Sequence, residues 1–180
     1  QREGRRLAIY NLGGSPLGHE DLRVFVADKL GIRAATTVEP DQVLITSGSL
    51  QALDLVNDLL LSPGDNVIVE EATYGGMLSR LQRLGVEVHG VRLDSDGVCP
   101  EHLRELLERC VSDGRPAKYL YTIPTVQNPT GSCMPLERRL EILEVMDKYE
   151  TAIFEDDCYA DLLWGCARPP TLWELDQADT

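Results

Sequence analysis

Tyr119-Leu120-Tyr121 leads through Thr122-Ile123-Pro124-Thr125-Val126 into Gln127-Asn128-Pro129-Thr130-Gly131. The apolar run suits a strand buried on both faces, and Asn-Pro-Thr-Gly is turn chemistry placed just after it. The same order of strand then loop recurs with Val43-Leu44-Ile45, Val67-Ile68-Val69, Val86 to Val91 and Ala152-Ile153-Phe154. Stretches of helical period lie between these runs. That alternation predicts an α/β fold: a three-layer α/β/α domain with a mainly parallel sheet.

The intervening helices are read from their spacing. Ala52, Leu55, Val56, Leu59 and Leu60 fall at i, i+3, i+4, i+7 and i+8, so they should form one sheet-facing stripe ended by Pro63-Gly64-Asp65. A short helix around Met77, Leu81 and Leu84 should stop at Gly85. Pro100 and Pro135 suit first helical positions, the one before Leu103, Leu106, Leu107, Cys110 and Val111, the other before Leu136, Leu140, Leu143 and Met146. A further helix from about His19 to Leu30 precedes the first apolar run. Right-handed crossovers place every strand-to-helix loop at the carboxyl ends of the strands, where ligands bind. Gly48-Ser49, Tyr74, Asn128 and Asp156 all follow strand candidates and should share that rim.

Composition narrows the function classes. The 180 residues carry 43% hydrophobic and 26% charged side chains, as a globular domain does. A balance of 30 acidic to 17 basic residues gives a net charge of −13, which repels nucleic acid and anionic membranes. No apolar run reaches the roughly 18 to 20 residues of a membrane span, and Arg2, Arg5 and Arg6 precede no signal-peptide core. We therefore expect a cytoplasmic protein. Five cysteines form no CxxC and no zinc spacing, so reduced thiols are expected. The opening on Gln1 and the stop at Thr180 suggest part of a longer protein.

Three short segments carry chemistry. Thr46-Ser47-Gly48-Ser49 turns into a helix, where backbone N–H groups and the helix dipole converge on an anion; a plain turn with an N-cap would use the same residues. Phe154-Glu155-Asp156-Asp157-Cys158-Tyr159 puts a carboxylate at a strand end. An anion held about 3 Å from a pyridine nitrogen keeps it protonated, worth a few kcal/mol at an effective dielectric near 20, and makes the ring an electron sink. An acidic loop or a divalent-metal site would also use Glu155-Asp156-Asp157, though no histidine stands near in sequence. Asn128 and Tyr159 could hydrogen-bond a phenolic ring oxygen, and Tyr74 offers an aromatic face, or only packs. A phosphate-sized turn, a carboxylate and ring-oxygen donors together suit pyridoxal 5'-phosphate. The absence of GxxxxGK[ST] and GxGxxG argues against nucleoside triphosphates and dinucleotides.

These segments, with Glu70-Glu71-Ala72-Thr73-Tyr74-Gly75-Gly76 and Ile123 to Gly131, resemble the class I/II pyridoxal-phosphate-dependent aminotransferases of fold type I, nearest the 2-aminoadipate and aromatic group. The resemblance runs from about Tyr10 to Trp173. It implies that Gly48, Ser49 and the Leu50 backbone hold the phosphate, that Tyr74 stacks on the ring, that Asn128 and Tyr159 bond the ring oxygen, and that Asp156 pairs with the ring nitrogen. Tyr10 resembles the tyrosine that reaches a neighbouring subunit's phosphate, though Asn11 to Pro16 looks longer than the family's segment. A homodimer and a cis bond before Pro129 are further implications.

Two departures matter. Leu50 stands where close relatives commonly have glutamine. The family's Schiff-base lysine follows a later strand, and Lys29, Lys118 and Lys148 are no substitutes, so no catalytic residue is assigned in this chain. Residues 1–180 are thus expected to be the N-terminal and central part of the cofactor-binding large domain, without its remainder or the small C-terminal domain. The parent protein is expected to move an amino group between an amino acid and a 2-oxo acid. Two alternatives stay open at this point: an effector-binding, aminotransferase-like domain of a transcription regulator, and a fold type I C–S lyase or decarboxylase.

Overall fold

The computed structural model describes residues 16–165 and 167–178. Its backbone divides into two compact units, Gln1–Ala52 and Leu53–Thr180. In the first, α1 (Glu20–Ala34) is followed by a short 3-10 turn, Pro40–Gln42, and an extended run to the first turn of α2 (Ser49–Leu60), whose residues from Leu53 on belong to the second unit. Arg23, only 4% exposed, ties α1 to that turn through Pro40 O at 2.8 Å and Asp41 Oδ1 at 3.0 Å. Gly18 sits at φ +101°, where a Cβ would come within 2.6 Å of Ile45 Cβ, so the close approach requires glycine.

Val43-Leu44-Ile45 does not form the expected strand. Three apolar residues need a neighbouring strand to satisfy their amides. Here Val43 N–H donates to Pro40 O and Ile45 N–H to Leu17 O instead.

The second unit holds β1 (Asn66–Glu70), α3 (Gly75–Leu84), β2 (Glu87–Val91), β3 (Leu93–Asp94), β4 (Gly97–Val98), α4 (Pro100–Ser112), β5 (Ala117–Thr122), α5 (Leu136–Lys148), β6 (Ala152–Glu155) and α6 (Leu172–Ala178). Four strands pair in parallel in the order β2-β1-β5-β6. The β3–β4 hairpin is antiparallel and too short for an alternation signal.

Side-chain alternation along the strands builds the three layers. Ile68 and Leu120 face a core with Leu103, Leu106 and Leu107 of α4 and Ile142, Val145 and Met146 of α5. Val67, Val69, Tyr119 and Tyr121 point the other way, against Leu53 of α2 and Met77 and Leu81 of α3. Phe154 of β6 meets the Tyr119 and Tyr121 rings edge-on at 5.8 and 5.7 Å.

Helix faces differ from the stripe reading in two places. Leu55, Leu59 and Leu60 of α2 are 44, 82 and 45% exposed, whereas Leu53 and Asn57 are buried. Asn57 tolerates this because the buried Tyr119 hydroxyl donates to its Oδ1 at 2.5 Å. In α5, Leu136 and Leu140 are exposed while Arg139, Ile142, Val145 and Met146 face inward. Pro135 is the N-cap of α5 rather than its first residue, while Pro100 opens α4 as expected. Gly85 at φ +69° closes α3 with a left-handed cap.

Candidate functional site

Glu70, Thr122 and Glu155 are the last residues of the adjacent strands β1, β5 and β6, so their loops leave from one rim. Asp156 begins the loop after β6. Its N–H donates to Thr122 O at 2.9 Å, and its Oδ2 accepts the Tyr121 hydroxyl at 2.7 Å. Burial first, then the hydrogen bond to Asp156, pushes the Tyr121 phenol far above the ordinary tyrosine value, so it stays a donor. Burial and the same carboxylate push the Cys158 thiol up to about 11. Sequence reading used Tyr121 only as a strand residue. Its place two positions from Tyr119 on one sheet face was the available signal.

Asn128 Nδ2 donates to Tyr159 Oη at 3.4 Å, and both side chains are half-buried. The structure thus brings the two residues assigned to the ring oxygen together, and the Asn128–Pro129 bond is cis as expected. Val126 has φ +54°. A β-branched side chain in that left-handed region stores strain of about 1–3 kcal/mol, which surrounding contacts must hold.

Those contacts start at Glu70, 1% exposed. Its carboxylate accepts Thr122 Oγ1 at 2.6 Å, Ile123 N–H at 3.1 Å and Gln127 Nε2 at 2.7 Å. From behind, the buried Arg139 donates to Met134 O, Pro124 O and Thr125 Oγ1, with Glu155 at 3.7 Å. Neither charge was read from sequence as part of the rim, since a carboxylate on a strand and an arginine on a helix are ordinarily solvated.

Tyr74 is the N-cap of α3, half-buried, with its ring lying over Gly76, where a Cβ would strike it. The side chain also packs against the core cluster of Leu53, Met77 and Leu81. The three acidic residues after β6 diverge. Glu155 accepts the Leu172 and Trp173 amides at the start of α6, Asp156 takes Tyr121, and Asp157 pairs with Arg168. Among the described residues no group of three His, Cys, Asp or Glu side chains could hold a metal ion.

In the first unit, Gly48 at φ +86° lets the chain enter α2. Gln51 Oε1 accepts the Ser47 N–H at 2.6 Å and Thr46 Oγ1 donates to Gly48 O at 3.0 Å. The first-turn amides of Ser49 and Leu50 lack intrahelical acceptors by helix geometry, which is what an anion seeks. Tyr10 lies outside the described residues. Lys118 stands near the amino end of β5, 3.8 Å from Asp65, and Lys148 closes α5 with its ammonium 5.2 Å from the Tyr149 ring centroid.

A parallel sheet between helix layers, with polar side chains gathered where the strands end, makes an α/β domain of the architecture in which ligands bind at the carboxyl ends of the strands. The family model for aminotransferase class I and II matches residues 6–179, and the chain belongs to that family. It is 39% identical over 158 residues to a 2-aminoadipate transaminase of Thermus thermophilus, covering 88% of this chain and 37% of that protein. It is 37% identical over 158 residues to an uncharacterized HTH-type transcriptional regulator of Bacillus subtilis, covering 86% of this chain and 31% of that protein. The crystal structure of an α-aminoadipate aminotransferase from Thermus thermophilus, complexed with N-(5'-phosphopyridoxyl)-L-leucine, superposes with a TM-score of 0.86 at 36% identity, over 99% of this chain and 43% of that one. The chain therefore spans roughly two-fifths of the length of these aminotransferases.

Proposed function

We propose that this chain is the N-terminal and central part of the large domain of a pyridoxal-phosphate-dependent aminotransferase, which moves an amino group between an amino acid and a 2-oxo acid. The observation that carries the reading is the Asp156 carboxylate, fixed by Tyr121 at the end of β6 in a chain of this family. The donor set fits the cofactor: one carboxylate for a ring nitrogen, and an amide with a phenol for a ring oxygen.

In this reading Asp156 holds a proton on the ring nitrogen, Asn128 and Tyr159 donate to the ring oxygen, and Tyr74 covers one ring face. Gly48, Ser49 and the Leu50 amide hold the phosphate, and Tyr10 reaches the phosphate of a second subunit. Bound pyridoxal phosphate supplies an electron-withdrawing ring that spreads negative charge developing at the amino acid Cα. The base that moves the Cα proton is assigned to a lysine outside these 180 residues.

We further propose that the full-length protein assembles as a homodimer, as the family resemblance implies. No described helix is long and apolar enough to cross a membrane, and we place the protein in the cytoplasm.

The test is a half-reaction of the full-length protein with pyridoxal phosphate and amino acids, aminoadipate and aromatic ones first. One equivalent of 2-oxo acid with no free ammonia supports transamination. Ammonia with pyruvate would show a lyase, carbon dioxide a decarboxylase, and binding without any product an effector domain.

A further inference from the structure

Glu70 and Gln127 are 1% and 2% exposed, yet both side chains are polar and belong to the same rim. The Gln127 amide is used to capacity: Nε2 donates to Glu70 Oε2 at 2.7 Å and Ala72 O at 2.6 Å, and Oε1 accepts Thr130 N–H and Oγ1, both at 2.8 Å. Its backbone is pinned as well, with Gln127 N–H donating to Ser132 O at 2.9 Å and Gly131 N–H donating to Gln127 O at 2.6 Å. Thr122, Ile123 and Gln127 give Glu70 three neutral donors.

A carboxylate shut away from water among neutral donors is a costly way to join two strand ends, since an apolar pair of similar size would serve cohesion as well. What the polar pair adds is direction. Ile123 and Gln127, both bonded to Glu70, flank the strained Val126, and the residue after Gln127 is Asn128.

We infer that Glu70 and Gln127 are positioning residues: together they hold the turn in the one backbone geometry that stands the Asn128 side chain beside Tyr159, ready for the cofactor's ring oxygen. The inference rests on the pyridoxal-phosphate reading above. It makes the ring-oxygen contact depend on a carboxylate that never touches the cofactor.

The experiment uses the full-length protein and pyridoxal phosphate itself, with wild type, Gln127→Ala, Glu70→Gln and the exchanged pair Glu70→Gln/Gln127→Glu. Glu70→Gln sets amide against amide. The exchange restores a donor facing an acceptor between the two side chains and keeps an oxygen for Thr130, while Ala72 O loses its donor. Three quantities are read: cofactor affinity, the pH titration of the bound cofactor's visible absorbance, and the melting temperature without cofactor.

Each single variant should bind about tenfold more weakly and titrate at higher pH, because a donor to the ring oxygen has been displaced. The exchange should recover part of both effects, since Ala72 O stays without its donor. If Gln127→Ala does not fold, Thr130→Val on the exposed turn should shift the titration the same way by less. Variants that melt lower yet bind and titrate like wild type would overturn the inference, as would an exchange no better than the singles. Failure of the wild type to bind would overturn the cofactor reading itself, and the two failures are told apart by which protein shows them.

Discussion

The Tyr121 hydroxyl donates to Asp156 Oδ2 at 2.7 Å across the β5–β6 pair, so a fully buried phenol fixes the carboxylate that follows β6. The bond occupies Oδ2, and the proposed function gives the other oxygen to the ring nitrogen. Tyr121→Phe keeps the ring that packs on Phe154 and removes only the donor. A hydrogen bond to a charged group contributes about 1.5–3 kcal/mol, so turnover of the full-length protein should fall roughly ten- to a hundredfold with the cofactor still bound. Steady-state rates of wild type and variant check this, and unchanged rates would remove Tyr121 from the account.

Asp156→Asn tests the carboxylate itself. The amide keeps the size and a hydrogen-bonding oxygen for Tyr121 but cannot hold a proton on a pyridine nitrogen. The cofactor should remain bound while the rate drops roughly a thousandfold or more. Near-normal turnover would sink the assignment.

Tyr119 and Asn57 join α2 to the sheet through a 2.5 Å hydrogen bond between buried groups. Tyr119→Phe leaves a buried amide oxygen without its donor and should lower unfolding stability by about 1–3 kcal/mol in urea titrations. Burial raises the phenols of Tyr119 and Tyr121 above 10.0 in the folded chain. The unfolded chain then loses these protons first, so their contribution is complete below the ordinary tyrosine value and is lost as pH rises past it. Stability should therefore fall from about pH 10 upward, and less steeply in Tyr119→Phe. Equal slopes would contradict the buried-phenol argument.

Among the described residues β2 and β6 are the edge strands of the four-stranded sheet, and Val88 on β2 is 39% exposed. Unpaired strand edges template association. The 180-residue chain by itself should elute above its 20.0 kDa mass at micromolar concentration. A monodisperse monomer in light scattering would contradict this.

The strands of the second unit and the loops after them were legible because buried parallel strands are short apolar runs and their loops carry Asn, Pro, Gly and Asp. Helix faces were less so. The Leu55/Leu59 stripe looks like a core face, yet Asn57 turns inward because Tyr119, 62 residues away, supplies its partner. Arg139 is buried for the same kind of reason, meeting Pro124 and Thr125 on a loop that local spacing does not place. Gly48, Ser49, Leu50, Tyr74, Asn128, Asp156 and Tyr159 were read from motifs. Tyr121, Glu70 and the role of Gln127 were not, since their meaning lies in hydrogen bonds between strands rather than in any local pattern.

The central claim is that Asp156 keeps a pyridine nitrogen protonated. Nitrogen NMR of pyridoxal phosphate labelled at its ring nitrogen, bound to the full-length protein, reads that proton directly. The account predicts a protonated ring in wild type and a neutral one in Asp156→Asn; a neutral ring in wild type, or the same signal in both, would contradict it.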